Sequence, residues 1–202
     1  MFTGIITDIG TITEFSDEGN VWRLEIESNY NHKQVDIGAS ISNNGACLTV
    51  IEKGSAAKGK SYFVFELSPE TIEKTIFKFA GVGEEINLER AMKIGDELGG
   101  HMVTGHVDSV IAVAKVLKNE NNWIVEFNAD KEQAKYIATK GSACINGVSL
   151  TVNSVSGNNF SVNIIPHTLE NTNLKNLKEG SKVNLEIDLI ARYIERINSF
   201  NN

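Results

Sequence analysis

The sequence predicts an all-β chain of two tandem six-stranded β-barrels, with short helices between strands and one helix at the C-terminus. Three observations carry this prediction. The chain repeats itself at a nearly fixed offset, its periodic segments alternate apolar and polar residues, and seventeen glycines but only two prolines punctuate them.

The repeat is the primary signal. Asn44-Gly45-Ala46-Cys47-Leu48-Thr49-Val50 returns as Asn146-Gly147-Val148-Ser149-Leu150-Thr151-Val152, an offset of 102. Phe2-Thr3-Gly4-Ile5 returns as Val103-Thr104-Gly105-His106 at 101, and Pro69-Glu70-Thr71 as Pro166-His167-Thr168 at 97. Gly83, Asn87, Leu88 and Glu89 return as Gly180, Asn184, Leu185 and Glu186, again at 97. Chance gives one such match, not four in order. The fall from 102 to 97 implies five extra residues in the first copy. The polar stretch from Lys53 to Lys60 has the composition of a hairpin loop that would hold them.

Within each copy the strands show a period of two. Trp22-Arg23-Leu24-Glu25-Ile26-Glu27 alternates, as does the segment from Phe63 to Leu67. Trp123 to Phe127 and Phe160 to Ile164 do the same in the second copy. A module of roughly 95 residues with about six strands removes its exposed edges by closing into a barrel. Residues 131–139 read as a short helix, with a counterpart near Tyr30 to Val35. Leu189, Ile190, Tyr193, Ile194 and Ile197 recur at helical spacing, with Arg192, Glu195 and Arg196 opposite. A helix this short needs a docking surface, either its own barrel or another subunit. The expected organisation is two repeats, 1–97 and 98–188, followed by an oligomerisation helix, 189–202.

Of the 202 residues, 41% are hydrophobic and 22% charged, an average soluble composition. The net charge of −7 and scattered Lys and Arg argue against nucleic-acid partners, which require a basic surface. No apolar run reaches a membrane span, and the N-terminus lacks the pattern of a secretory signal. The expectation is a cytoplasmic protein with no membrane partner. Cys47 and Cys144 form no C-x-x-C pair, so neither a metal site nor a disulfide is expected.

The repeated residues also carry a resemblance. Met1-Phe2-Thr3-Gly4-Ile5-Ile6, the two Asn-Gly motifs, the Pro-x-Thr pair and Gly99-Gly100-His101-Met102-Val103-Thr104-Gly105-His106-Val107-Asp108 together resemble riboflavin synthase, the type with two lumazine-binding repeats. The resemblance covers nearly the whole chain. It implies dismutation of two 6,7-dimethyl-8-ribityllumazine molecules to riboflavin and 5-amino-6-(D-ribitylamino)uracil, by four-carbon transfer without cofactor. It also implies a homotrimer with the site between subunits, and association with lumazine synthase.

Carried over residue by residue, the resemblance marks Gly4, Ile5, Ile6, Cys47, Leu48, Thr49, Glu66, Leu67, Ser68, Pro69, Glu70 and Thr71 as first-copy substrate contacts. Phe2 and Ser40 are added near the site. In the second copy the contacts are Gly105, His106, Val107, Lys140, Asn146, Ser149, Leu150, Thr151, Ile165, Pro166, His167, Thr168, Leu169 and Glu170.

The chemistry needs a base for the C7 methyl proton, a nucleophile at C7 of the second substrate, and two rings held in one orientation. His106 suits proton transfer because imidazole titrates near neutrality. It replaces the aliphatic Ile5 of the first copy. Cys47, aligned with Ser149, suits the nucleophile if ionised and otherwise packs on the ring; Ser149, Thr151, Ser40 and Thr49 suit positioning of an attacking water. On a continuous strand His101 and His106 face opposite ways, which makes His101 structural or interfacial. Some relatives have cysteine at Ala46 and aspartate at Asn146; a two-thiol mechanism is therefore unavailable here, and Asn146 can donate or accept hydrogen bonds but cannot be a general base. The competing readings are a non-catalytic lumazine or flavin carrier, expected to lose one copy's motifs, and a reductase's flavin-binding barrel. The latter is expected to carry a Gly-rich nucleotide-binding segment, which the 202 residues lack.

Overall fold

The structure is a computed structural model that describes residues 1–120 and 122–200. The first barrel comprises β1 (Asp8–Asp17), β2 (Trp22–Ser28), β3 (Ser40–Asn43), β4 (Ala46–Ser55), β5 (Ser61–Leu67) and β6 (Glu85–Arg90). The second comprises β7 (Ser109–Lys118), β8 (Trp123–Asn128), β9 (Ser142–Ile145), β10 (Val148–Ser156), β11 (Asn159–Ile164) and β12 (Lys182–Ile187). Both close, the first in the order β1-β2-β5-β4-β3-β6 and the second in the equivalent order, with every pairing antiparallel. Closure leaves no free edge in either sheet.

The period-two pattern decides what fills each barrel. Along β4 the side chains of Ala46, Leu48 and Val50 are buried, whereas Cys47 and Thr49 lie on the outer face. Leu24, Ile26, Phe63 and Phe65 complete the first core, and Val125, Phe127, Phe160 and Val162 occupy the matching places in the second. The interiors are packed with side chains, so a ligand has to bind outside the walls. Bulges recur in both copies, at Ile12/Glu14 and Val50/Glu52 and at Val113/Lys115 and Val152/Ser154. Such bulges bend the strands and increase their twist, as barrel closure requires.

The five extra residues lie in one hairpin. β4 and β5 are joined through a 3₁₀ turn at Ala57–Gly59, whereas Gly157 and Asn158 alone join β10 to β11. Helix α1 (Pro69–Lys74) follows β5; Ser68 caps it by accepting from the Thr71 N–H, and Pro69 opens its first turn. Residues 131–139 form less helix than the sequence suggests. Helix α2 spans only Lys131–Ala134, because a turn at Lys135 and Tyr136 delivers Ile137 to the second core. Its counterpart is a 3₁₀ turn, His32–Gln34. Helix α3 (Pro166–Glu170) follows β11.

Helix α4 (Leu189–Asn198) is capped by Asp188, which accepts from the Ile190 N–H. Within this chain it attaches by its polar side. Arg192 meets Asp108 at 2.8 Å and Lys135 meets Glu195 at 2.7 Å. Ile190, Tyr193, Ile194 and Ile197 remain exposed. The end of the expected 189–202 segment, residues 201 and 202, lies outside the described residues.

The barrels meet along a pseudo-symmetric seam. Asn44-Gly45 and Asn146-Gly147 form two-residue hairpin turns with positive φ at both positions, the geometry for which Asn-Gly is preferred. The turns abut so closely that a Cβ on Gly45 would lie 2.8 Å from the Gly147 nitrogen. Asn87 Nδ2 donates to the Asn146 carbonyl at 2.9 Å, and Asn184 Nδ2 to the Asn44 carbonyl at 2.8 Å. Phe2 and Val103, both fully buried, pair backbone to backbone in the same seam.

Candidate functional site

The N-terminal arm of each module packs on the other module's barrel. Residues 3–6 run to the second barrel, where the Gly4 carbonyl accepts the Ser149 N–H at 2.8 Å and Ile6 rests on the core. Residues 104–107 run to the first barrel, where the Gly105 carbonyl accepts the Cys47 N–H at 2.8 Å and Val107 rests on that core. The two copies' contacts therefore regroup. Gly105, His106 and Val107 join Cys47, Glu70 and Thr71, while Gly4, Ile5 and Ile6 belong beside Ser149. Each arm needs glycine at its contact, since both are in the left-handed region. A Cβ on Gly4 would lie 2.6 Å from the Ser149 Cβ, and one on Gly105 would lie 2.4 Å from the Cys47 Cβ.

The first-barrel cleft, about 290 Å³, is lined by Cys47, Glu70, Thr71 and Lys74 on one side and Gly105, His106 and Val107 on the other. A second cleft of about 290 Å³ lies where Ile6 and Thr7 face Glu170 and Asn171 at the end of helix α3. His106 is exposed, and Cys47 is half-buried as a free thiol.

The strand pattern sorts the remaining candidates. Thr49 pairs with Ser40 across β3 and β4, and Thr151 pairs with Ser142 across β9 and β10. Ser142 is thus the second-copy equivalent of Ser40; applying the offset of 102 to Ser40 would have found it. Leu48, Leu150 and Leu67 are buried in the barrel cores, and Leu169 packs on the second core. Only their backbone groups are open to a ligand outside the wall. Glu66 is exposed opposite Arg23, and Ser68 is occupied in capping α1. Ile165, Pro166, His167 and Glu170 are exposed around α3, with Thr168 half-buried.

Asn146 and Phe2 lie in the inter-barrel seam. Asn146 is buried, and its side-chain oxygen accepts the Asn184 N–H at 2.8 Å. Lys140 holds a φ of 68° where the first copy has Gly38 at 86°. A non-glycine residue there costs about 1–2 kcal/mol, and retained strain of this kind argues for use of the side chain.

His101 departs from the sequence expectation. Residues 101–108 form no continuous strand, so the alternation that would oppose His101 to His106 does not apply. Instead His101 Nδ1 lies 2.7 Å from Ser149 Oγ, at the point where the Gly4 arm crosses β10. Burial lowers its pKa from 6.5, and the charge of Asp188 acts in the opposite direction. The described residues contain no cluster of three His, Cys, Asp or Glu side chains placed to hold a metal, and no helix long and apolar enough to cross a membrane.

Two barrels that share their arms and present paired clefts define a double-module small-molecule-binding protein. The sequence model of the family described as lumazine binding domain matches residues 3–91 and 104–188. The riboflavin synthase of Brucella abortus (strain 2308) is 43% identical over 201 residues, covering 98% of each chain. That of Escherichia coli (strain K12) is 39% identical over 191 residues, covering 93% of this chain and 87% of the relative. The crystal structure of LumP complexed with riboflavin superposes with a TM-score of 0.80 at 28% identity, covering 93% of this chain and 99% of LumP. The chain belongs to the riboflavin synthase family, with two lumazine-binding repeats.

Proposed function

We propose that the protein is an enzyme that dismutates two molecules of 6,7-dimethyl-8-ribityllumazine, one giving a four-carbon unit to the other, to form riboflavin and 5-amino-6-(D-ribitylamino)uracil. The observation that carries this reading is the pair of clefts where one module's arm meets the other module, Gly105 to Val107 against Cys47 and α1, and Ile6 and Thr7 against the end of α3. Two identical substrates need two similar sites, and dismutation needs the sites to differ in chemistry. Cys47 and His106 line the first; Ile6, Thr7 and Glu170 line the second, with Ser149 hydrogen-bonded to its arm at Gly4.

The residues divide the work as follows. His106 transfers the C7 methyl proton. Ser149 Oγ, hydrogen-bonded to His101 Nδ1, is placed to activate water or to act itself at C7 of the partner substrate. Cys47 is the alternative nucleophile. Ser40, Thr49, Ser142, Thr151 and Lys140 bind the ribityl chains and ring edges. The reaction balances without an outside oxidant or metal, because one substrate loses what the other gains. In the assembly the first barrel of one subunit faces the second barrel of its neighbour in a homotrimer held by α4. The helix's exposed Ile190, Tyr193, Ile194 and Ile197 support that role. A cytoplasmic setting accords with the free thiols of Cys47 and Cys144; association with lumazine synthase completes the proposal.

The test is to incubate the protein with the lumazine and follow riboflavin absorbance. Tight binding without turnover would favour a carrier, the reading to which the LumP complexes with riboflavin and with 6,7-dimethyl-8-(1'-D-ribityl) lumazine lend weight. His106→Ala is expected to lower kcat by about 100-fold while changing substrate Kd far less. Equal loss of both would make His106 a binding residue.

A pH profile tests His101. Its lowered pKa keeps the imidazole neutral as pH falls to 6.5, and protonation follows only below that value. Between the two values the unfolded chain binds the extra proton, so stability also falls as pH drops through the window. An acid limb of kcat is therefore expected below pH 6.5 and is expected to change position in His101→Gln; coincident limbs would remove His101 from the mechanism. Deleting residues 189–202 is expected to convert trimers to monomers in sedimentation, and an intact trimer would exclude α4 as the oligomerisation element.

A further inference from the structure

Glu89 in β6 and Glu186 in β12 are buried carboxylates that the proposed chemistry leaves without a part. Both are committed to the arms. Glu89 Oε1 accepts the Thr3 N–H and hydroxyl, each at 2.7 Å, and Oε2 accepts the Gly4 N–H at 3.0 Å. Glu186 repeats the arrangement with Thr104, at 2.6 and 2.8 Å, and with Gly105 at 3.0 Å. The threonine hydroxyls extend the clamp, since Thr3 Oγ1 accepts the Ile5 N–H and Thr104 Oγ1 the His106 N–H. From the clamped residues the chain passes directly to the opposite barrel, where the Gly4 and Gly105 carbonyls meet Ser149 and Cys47.

We propose that Glu89 and Glu186 are crossed positioning residues: Glu186, on the second barrel, sets the first-barrel cleft, and Glu89, on the first barrel, sets the cleft of the second. Each converges three donors on one carboxyl group, which fixes the loop, although burial raises the pKa of both glutamates. The pattern occurs twice with the same atoms, so it is a property of the module. The kinetic consequence rests on the two-site reading above; the geometric one does not.

The crossing supplies a test that a merely stabilising clamp would not pass. Cys47 is half-buried beside the Gly105 arm, whereas Cys144 is fully buried, so iodoacetamide reports on Cys47 in the folded protein. Glu186→Gln is expected to raise the Cys47 alkylation rate about tenfold and to lower kcat by a similar factor with KM nearly unchanged, since a small displacement of an arm suffices. Glu89→Gln, in the same barrel as Cys47, is expected to leave alkylation at the parent rate while also lowering kcat. If either glutamine variant fails to fold, Thr104→Val and Thr3→Val keep the glutamates, remove the hydroxyls that donate to them and accept the His106 and Ile5 N–H groups, and read the same contrast. Equal changes in the two variants, or none in either, would overturn the crossed assignment. Crossed alkylation in a protein that never forms riboflavin would uphold the clamps and sink the dismutation reading. Uncrossed alkylation in an active enzyme would do the reverse.

Discussion

Gly105→Ala is expected to lower stability by about 2–5 kcal/mol and activity by about 100-fold. Two costs combine. The backbone at Gly105 has a φ of +82°, a conformation that an alanine adopts only with strain. The new methyl would also lie 2.4 Å from the Cys47 Cβ and 2.9 Å from its nitrogen, inside any tolerable contact. Relief requires the arm to lift, which moves His106 away from the first cleft and breaks the bond from the Cys47 N–H. Gly59→Ala is the control, with a φ of +77° and open space around it. Urea unfolding of both variants separates the conformational cost from the contact. Equal losses would mean that the arm is free to move and does not set the cleft.

Asn184→Ala is expected to cost about 2–5 kcal/mol, close to half the stability of an ordinary domain. Asn184 is buried in β12. Its side-chain oxygen accepts the Ile76 N–H at 2.8 Å, and its side-chain nitrogen donates to the Asn44 carbonyl at 2.8 Å, both groups belonging to the first barrel. Alanine leaves an amide and a carbonyl unpaired in the seam, where each pays its full desolvation penalty. Asn163→Ala, on an exposed position of β11, is expected to change stability by no more than about 0.5 kcal/mol. Matching midpoints for the two variants in chemical denaturation would show that the seam contributes little.

The barrels were legible because their information is local. Trp22, Leu24 and Ile26 announce an inward face by alternation alone, and the offset between the two Asn-Gly motifs announces the second copy. The change of offset even identified the hairpin that holds the insertion. The inward orientation of Leu48 and Leu150 was equally readable, since their neighbours Cys47, Thr49, Ser149 and Thr151 take the other face. The exchange of arms was not legible. Thr3-Gly4 and Thr104-Gly105 have the same local pattern whichever barrel they contact, and the choice is made by long-range packing. The strand alternation between His101 and His106 fails for a related reason: Glu186 and Cys47 hold Thr104 and Gly105 out of any strand. Asn146 reads as a site residue by resemblance, yet its place in a two-residue turn makes it part of the seam.

The shared arms bear on why two copies occupy one chain. Viewed as an assembly, the molecule is a swapped dimer of one module, joined covalently. In a true homodimer every replacement appears at both receptor positions at once, so the two would always remain alike. Fusion lifts that constraint: Cys47 can stand where the twin position has Ser149, and Ile5 where the twin has His106. The peptide linkage between the barrels therefore does more than hold them together; it permits the symmetry to be broken.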